Sequence, residues 1–220
     1  MQLLVVALFF FLTSAGLSMG EVVPYVGGLG GIATLSADAG SQSVPQSLNL
    51  SSYAPANGPA VDFFAGAHLH NYFSVQGDFI WNKNNLQMNS SSSSGGAFYQ
   101  ESRSSSQKAA IFSFLLYFRR QSSRVRPYLG IGTGVAHLSS TSQRLIALGG
   151  APSLPPPTFS STGAVLRTHV GIDVMLTGKL DFRYSFSETL GSNAISKNLS
   201  PPGTGNLKNF QSLFGLVVRF

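Results

Sequence analysis

The chain has 220 residues, enough for one domain with a full core. Charged residues are 10% of it, against roughly 25% in an average soluble domain, and Ser, Asn, Gln, Thr and 24 Gly take their place. The formal net charge is +6 and there is no cysteine, which excludes disulfide scaffolds, thiolate metal sites and acylation at a thiol.

The basic residues are spread along the chain. Their densest group, "RRQSSRVR" at 119–126, reads as a short turn and not as an aromatic-interleaved patch, so no nucleic-acid partner is expected.

In chain order the first element is "MQLLVVALFFFLTSAGLSMG". An apolar run, Leu3 to Leu12, is followed by small residues at Thr13-x-Ala15 and Ser18-x-Gly20, which reads as a signal peptide over 1–20. The run is too short for a membrane-spanning helix, which needs about 20 apolar residues. No Lys or Arg precedes it, so a start a few codons upstream, within a basic stretch, is expected.

From residue 21 onward the pattern changes to a period of two, and no stretch carries a convincing helical period. Alternating segments run over 23–35, 59–69, 72–82, 107–118, 126–136, 163–175, 178–187 and 209–220. Short connections (69–71, 119–125, 176–178) alternate with long ones (36–58, 83–106, 137–162, 188–208). The long ones are rich in Ser, Asn, Gly and Pro, as in "NKNNLQMNSSSSSGG" and "GGAPSLPPPTFSSTG", and read as loops unable to pack a core. Tilted membrane-crossing strands need about 9–11 residues, and short turns on one side with long loops on the other are what a transmembrane barrel has.

Each segment sorts into two faces. Leu166, Val170, Ile172 and Val174 oppose Arg167, His169, Gly171 and Asp173; Phe182, Tyr184 and Phe186 oppose Asp181, Arg183 and Ser185. In the last segment Phe210, Phe214, Leu216, Val218 and Phe220 oppose Asn209, Gln211 and Arg219. A soluble ligand-holding barrel has the same period with its apolar face inside. Here the polar face is too poor in charge for a water-facing exterior, and Tyr25, Tyr72, Trp81, Phe118, Tyr128 and Phe220 gather near strand ends like an interfacial girdle. The apolar face is therefore assigned to lipid. The predicted fold is all-β: an eight-stranded antiparallel up-and-down transmembrane β-barrel over 21–220, with short periplasmic turns and long extracellular loops.

The opening strand "PYVGGLGG" (24–31), the hairpin "DFFAGAHLHNYFSVQGDF" (62–79), "RVRPYLGIGTG" (124–134) and the terminal "LVVRF" resemble the small outer-membrane barrels, namely the transmembrane part of OmpA and its single-domain relatives. The resemblance implies an outer-membrane location, neighbours that are outer-membrane lipid and lipopolysaccharide, and a monomer without a cofactor. It also implies that Phe220, on an amphipathic last strand, is a signal read by the outer-membrane assembly machinery. No peptidoglycan-binding domain is carried over.

An eight-stranded barrel is only wide enough inside for side chains. The hairpin registers predict Asp62 opposite Asp78 and Asp173 opposite Asp181, with Arg167, Arg183 and Arg219 pointing the same way. Like charges so placed need countercharges, so a buried Asp/Arg network is expected to plug the lumen and exclude an open pore. Gly130, Gly132 and Gly134 mimic a phosphate loop, but no helix follows, and small-against-large packing opposite Leu115, Ser113 and Ile111 accounts for them. His68 and His70 lack a third ligand, so no metal site is expected, and they read as part of a solvated turn. His137 and Ser139 form a His-x-Ser on an outward face, resembling the lipid A deacylase barrels; this is the alternative, enzymatic reading. It lacks a carboxylate on the adjoining strand, since Glu188 lies one strand further on. A structural or surface-interaction role through the long loops is the leading one. Asn49, Asn89 and Asn198 head N-x-Ser sequons, read as accidental.

Overall fold

The computed structural model describes residues 22–37, 42–44, 49–92, 98–148, 154–199, 202 and 206–220, so the expected signal peptide lies outside the described residues. Among the described residues the strands are β1 (Val23–Ala37), β2 (Gln42–Val44), β3 (Asn49–Pro55), β4 (Gly58–His70), β5 (Phe73–Ser92), β6 (Phe98–Tyr117), β7 (Val125–Leu148), β8 (Thr158–Met175), β9 (Leu180–Ser192) and β10 (Asn206–Arg219), with a helical turn, α1 (Ala194–Lys197).

Each predicted segment lies on a strand of the ring β1-β4-β5-β6-β7-β8-β9-β10, all pairs antiparallel. The ring closes because β1 pairs with β4 on one side and β10 on the other. A cross-strand row from Thr162 passes through His137, Lys108, Trp81, Val61, Gly30, Phe214 and Tyr184, and returns to β8 at Ile172, ten residues from its origin. That stagger fixes the strand tilt at about 40°.

The turns at 71–72, 118–124 and 176–179 share one end with both chain ends of the ring. There the Phe220 N–H donates to Pro24 O at 3.0 Å and the Arg219 N–H to Lys179 O at 2.8 Å. The opposite end corrects the reading of the long connections as loops. β5 to β8 run well past the predicted ends, and β3 continues the line of β4 beyond residues 56–57 to pair with Leu86–Ser92 of β5. β2 adds to β3, so among the described residues the sheet has ten strands.

The extensions also hold a core. Leu86 and Met88, within the stretch read as unable to pack, are buried with Leu35, Tyr53, Tyr99, Leu138 and Leu207. α1 brings Ile195 into the same cluster. Asn193 caps that turn by accepting from the Ser196 N–H at 2.9 Å, and its own Nδ2 donates to the Tyr53 hydroxyl at 3.3 Å. The alternation of these segments was real, but polar residues on the outer face hid it.

On the barrel proper the outer face is apolar: Phe63, Phe112, Ile131, Val170 and Phe214 are all exposed. In water this area would be far larger than the patches monomers tolerate, whereas in hydrocarbon it is the solvated surface. Among the described residues no helix is long and apolar enough to cross a membrane. The strands cross it.

Candidate functional site

Inward positions along each strand are fixed by parity, and they deliver charged groups to one narrow column. At the turn end Arg219 pairs with Asp181 at 2.9 Å. Next, Arg183 Nε and Nη2 grip both oxygens of Asp173, at 2.6 and 2.7 Å. Its Nη1 donates to Gln76 Oε1 at 2.9 Å and its Nη2 to the Tyr117 hydroxyl at 2.8 Å. Phe64 and Tyr128 lie over the same guanidinium, with ring centroids 4.9 and 5.0 Å from it.

One level further, Arg167 reaches Asp62 at 3.0 Å and Asp78 at 3.2 Å. Asp78 also accepts from Ser113 Oγ at 2.8 Å. Gln76 links the two levels, since it donates to Asp78 and accepts from Arg183 and Tyr25. Above them Asn209 donates to Asn82 at 3.0 Å and to Gln107, bonds that again cross the ring. Between Gln107, Ala136, Val165 and Leu207 remains a cavity of about 20 Å³, room for about one water. The α1 cluster covers the outer mouth.

The registers differ from expectation. Asp62 faces Ile80 and Asp78 faces Phe64; Asp173 faces Arg183, and Asp181 faces Met175. The cause lies in the turns. The Thr177 hydroxyl accepts from the Lys179 and Leu180 N–H groups at 3.3 and 3.2 Å, which centres that turn on Gly178, one residue later than the pattern suggested. In the other hairpin the register shifts between His68 and His70. Both moves separate like charges, and one puts opposite charges face to face.

Other corrections concern rings. Tyr25 and Tyr128 are buried in the lumen and belong to no girdle. Tyr128 lies flat over Gly171, whose missing Cβ would fall 2.4 Å from the ring. His68 is buried between Tyr25 and Tyr117 and bonded to Ser74, so it is no part of a solvated turn; His70 is half-buried. Among the described residues no group of three or more His, Cys, Asp or Glu is placed to hold a metal.

Three charged groups went unassigned in the sequence. Arg126 turns inward and stacks on Tyr117 at 3.9 Å. Glu101 and Arg103 form a buried pair at 2.6 Å in the upper part of β6, where Arg103 also donates to Ser140, Pro156 and Pro157. Parity carried both signals: Arg126 is in step with Gly130, and Arg103 with Ser113. Composition alone puts the first in a turn and the second in a loop.

On the outer face His137 and Ser139 are exposed. His137 Nδ1 meets the Thr162 hydroxyl at 2.7 Å. Glu188 sits beside Thr168, six residues along β8 from Thr162. A hydroxyl thus occupies the position where hydrolytic chemistry needs a carboxylate to orient the ring.

No curated protein matches the sequence. Among solved structures, Neisserial surface protein A (NspA) is similar over 91% of this chain and 100% of that one, at 16% identity and a TM-score of 0.54. OprG from Pseudomonas aeruginosa is similar over 90% and 96%, at 14% identity and a TM-score of 0.50. Identities this low speak for the fold alone. Residues 3–220 match the family described as outer membrane protein beta-barrel domain. With a closed ring of eight strands, a lipid-facing exterior and that match over nearly its whole length, the chain belongs to the outer membrane protein β-barrel domain family and resides in the outer membrane.

Proposed function

We propose that this is a monomeric, non-enzymatic barrel whose lumen is closed to solutes and whose activity lies in what it presents outside the cell. The observation that carries the closed lumen is the Arg167–Asp62 pair, which joins β8 to β4 across the full width of the ring. With Arg183 reaching Gln76 on β5 it leaves no straight path for a solute. Leaving either charge of such a pair buried without its partner costs on the order of 3–5 kcal/mol, so the closed arrangement predominates.

The surface-interaction role rests on the sheet that stands beyond the bilayer. Where it leaves the bilayer its outer side, around Pro55, Lys83, Gln87, Ser102 and Ser104, forms an open groove of about 660 Å³ lined by apolar and uncharged polar groups together with Lys83 and Arg103. In the membrane the partners would be outer-membrane lipid and lipopolysaccharide, and during biogenesis the assembly machinery would read Phe220, which is exposed at the end of β10. The hydrolase alternative is disfavoured by the hydroxyl, in place of a carboxylate, at His137.

Solute uptake by proteoliposomes tests the closed lumen. Vesicles carrying the barrel should swell in a small sugar no faster than protein-free vesicles. Swelling above that baseline would overturn the proposal.

A further inference from the structure

The net charge is distributed unevenly. Of the 14 Lys and Arg, five (Arg103, Arg126, Arg167, Arg183, Arg219) are buried, and so are five carboxylates (Asp62, Asp78, Glu101, Asp173, Asp181). The interior is balanced, so the positive charge of the molecule sits on its outside. There the described residues carry Glu188, on β9, as their only unburied carboxylate side chain.

Part of that charge forms a patch on β5, β6 and β7. Trp81, Lys108 and His137 stand directly side by side on the outer face. Lys83 is diagonal to Lys108 through Ser106, a spacing of about 7–8 Å between backbones. Trp81 Nε1 donates to Ser106 Oγ at 3.1 Å, which fixes the indole between the two lysines. This patch lies at the end of the lipid-facing band nearest the long connections, the level of the outer-leaflet headgroups.

Directly below it the outer wall is indented. Phe79, Phe112 and Val135 stand out around a floor made by Ala110 and Gly77, in a groove of about 720 Å³. Ala110 follows Lys108 on the same face of β6. Gly77 is the informative position. A Cβ there would meet nothing closer than Ala65 O at 4.0 Å, so the packing of the protein does not demand a glycine, unlike at Gly134 or Gly171. Its effect is to keep the groove open.

From this we infer that strands β5 to β7 form a docking site for one phosphorylated, multiply acylated glycolipid of the outer leaflet, the lipid A part of lipopolysaccharide. Lys83 and Lys108 take a phosphate, Trp81 and His137 pack against the sugar, and an acyl chain lies in the groove over Gly77 and Ala110. Two cations at headgroup height above an apolar channel complement that ligand in charge and in shape. The inference rests on the outer-membrane reading with long connections outward, and not on the closed lumen.

The test is native mass spectrometry of the folded barrel released from detergent with bisphosphorylated lipid A or with phosphatidylglycerol. A gel-mobility shift on boiling first confirms that each variant is folded. Lipid A should be retained more tightly than phosphatidylglycerol. Lys83→Ala with Lys108→Ala should weaken it on the order of tenfold or more. Gly77→Leu, which fills the groove without touching the charges, should also weaken it, and Arg124→Ala with Lys179→Ala at the other end should not. Equal retention of the two lipids, or lipid A binding untouched by the lysine pair and by Gly77→Leu, would overturn the inference. Vesicle swelling of the same preparations reports on the closed lumen separately, so each idea fails by its own readout.

Discussion

Arg183 shows how much a single side chain holds in this barrel. Its guanidinium satisfies a carboxylate on β8, an amide on β5 and a phenol on β6. Truncation would leave Asp173 buried with Tyr117 as its remaining hydrogen-bond partner. Arg183→Ala should therefore lower barrel stability by about 3–5 kcal/mol, and Arg183→Lys by less, because a lysine keeps the charge but not the fork. Urea unfolding in micelles, followed through the lone Trp81, measures both. An unchanged midpoint for the alanine variant would mean that the pair contributes nothing. That Asp62, Asp78, Arg167, Asp173, Asp181, Arg183 and Arg219 point inward was legible in the sequence, because parity along a strand is a local property. Which of them meet was not. Partner choice depends on where each turn is centred, and the Thr177 hydroxyl that moves one of them by a residue leaves no mark on the alternation.

The strands as units divide at the membrane surface. Below it, hydrophobic contrast between faces is strong, and every crossing strand could be placed from the pattern alone. Above it the outer face is polar too, as around "NSSS" (89–92), and composition suggests loop where ladder hydrogen bonds build strand. The apolar signal survived there only as isolated residues, Leu86, Met88, Tyr99 and Leu138, too sparse to count as periodic. What fastens this upper sheet is Arg103, which ties β6 to β7 through Ser140 and to the start of β8 through Pro156 and Pro157, with Phe159 stacked on it at 4.5 Å. Arg103→Ala should raise hydrogen exchange in β6 and β7 beyond Ser105 and Ser140 by about tenfold or more. Amides of the membrane-embedded ring should be unaffected, because loss of an anchor outside the bilayer frees only the segment it anchors. Exchange that rises in the ring as well would show the two parts to be one cooperative unit.

The last residue acts at the scale of the molecule. Phe220 is 67% exposed and its N–H bonds to Pro24, so its ring adds little to the folded barrel. Phe220→Ala should leave refolding into micelles unchanged yet reduce the amount of barrel assembled in cells several-fold, as judged by the boiling-dependent mobility of membrane fractions. Equal reduction in both settings would make the ring a packing element. The interior pairs bear on the same process in another way. Asp62 and Arg167 are 105 positions apart in sequence and on opposite walls of the ring. An open, half-curled sheet cannot bring them together. A flat sheet entering lipid broadside would carry each bare charge against hydrocarbon, at a cost of several kcal/mol apiece. Curling must then come before entry, or alongside it, and never after. Arg167 is thus a timekeeper for insertion as well as a strut, and the order of biogenesis is written into which wall each charge was placed on.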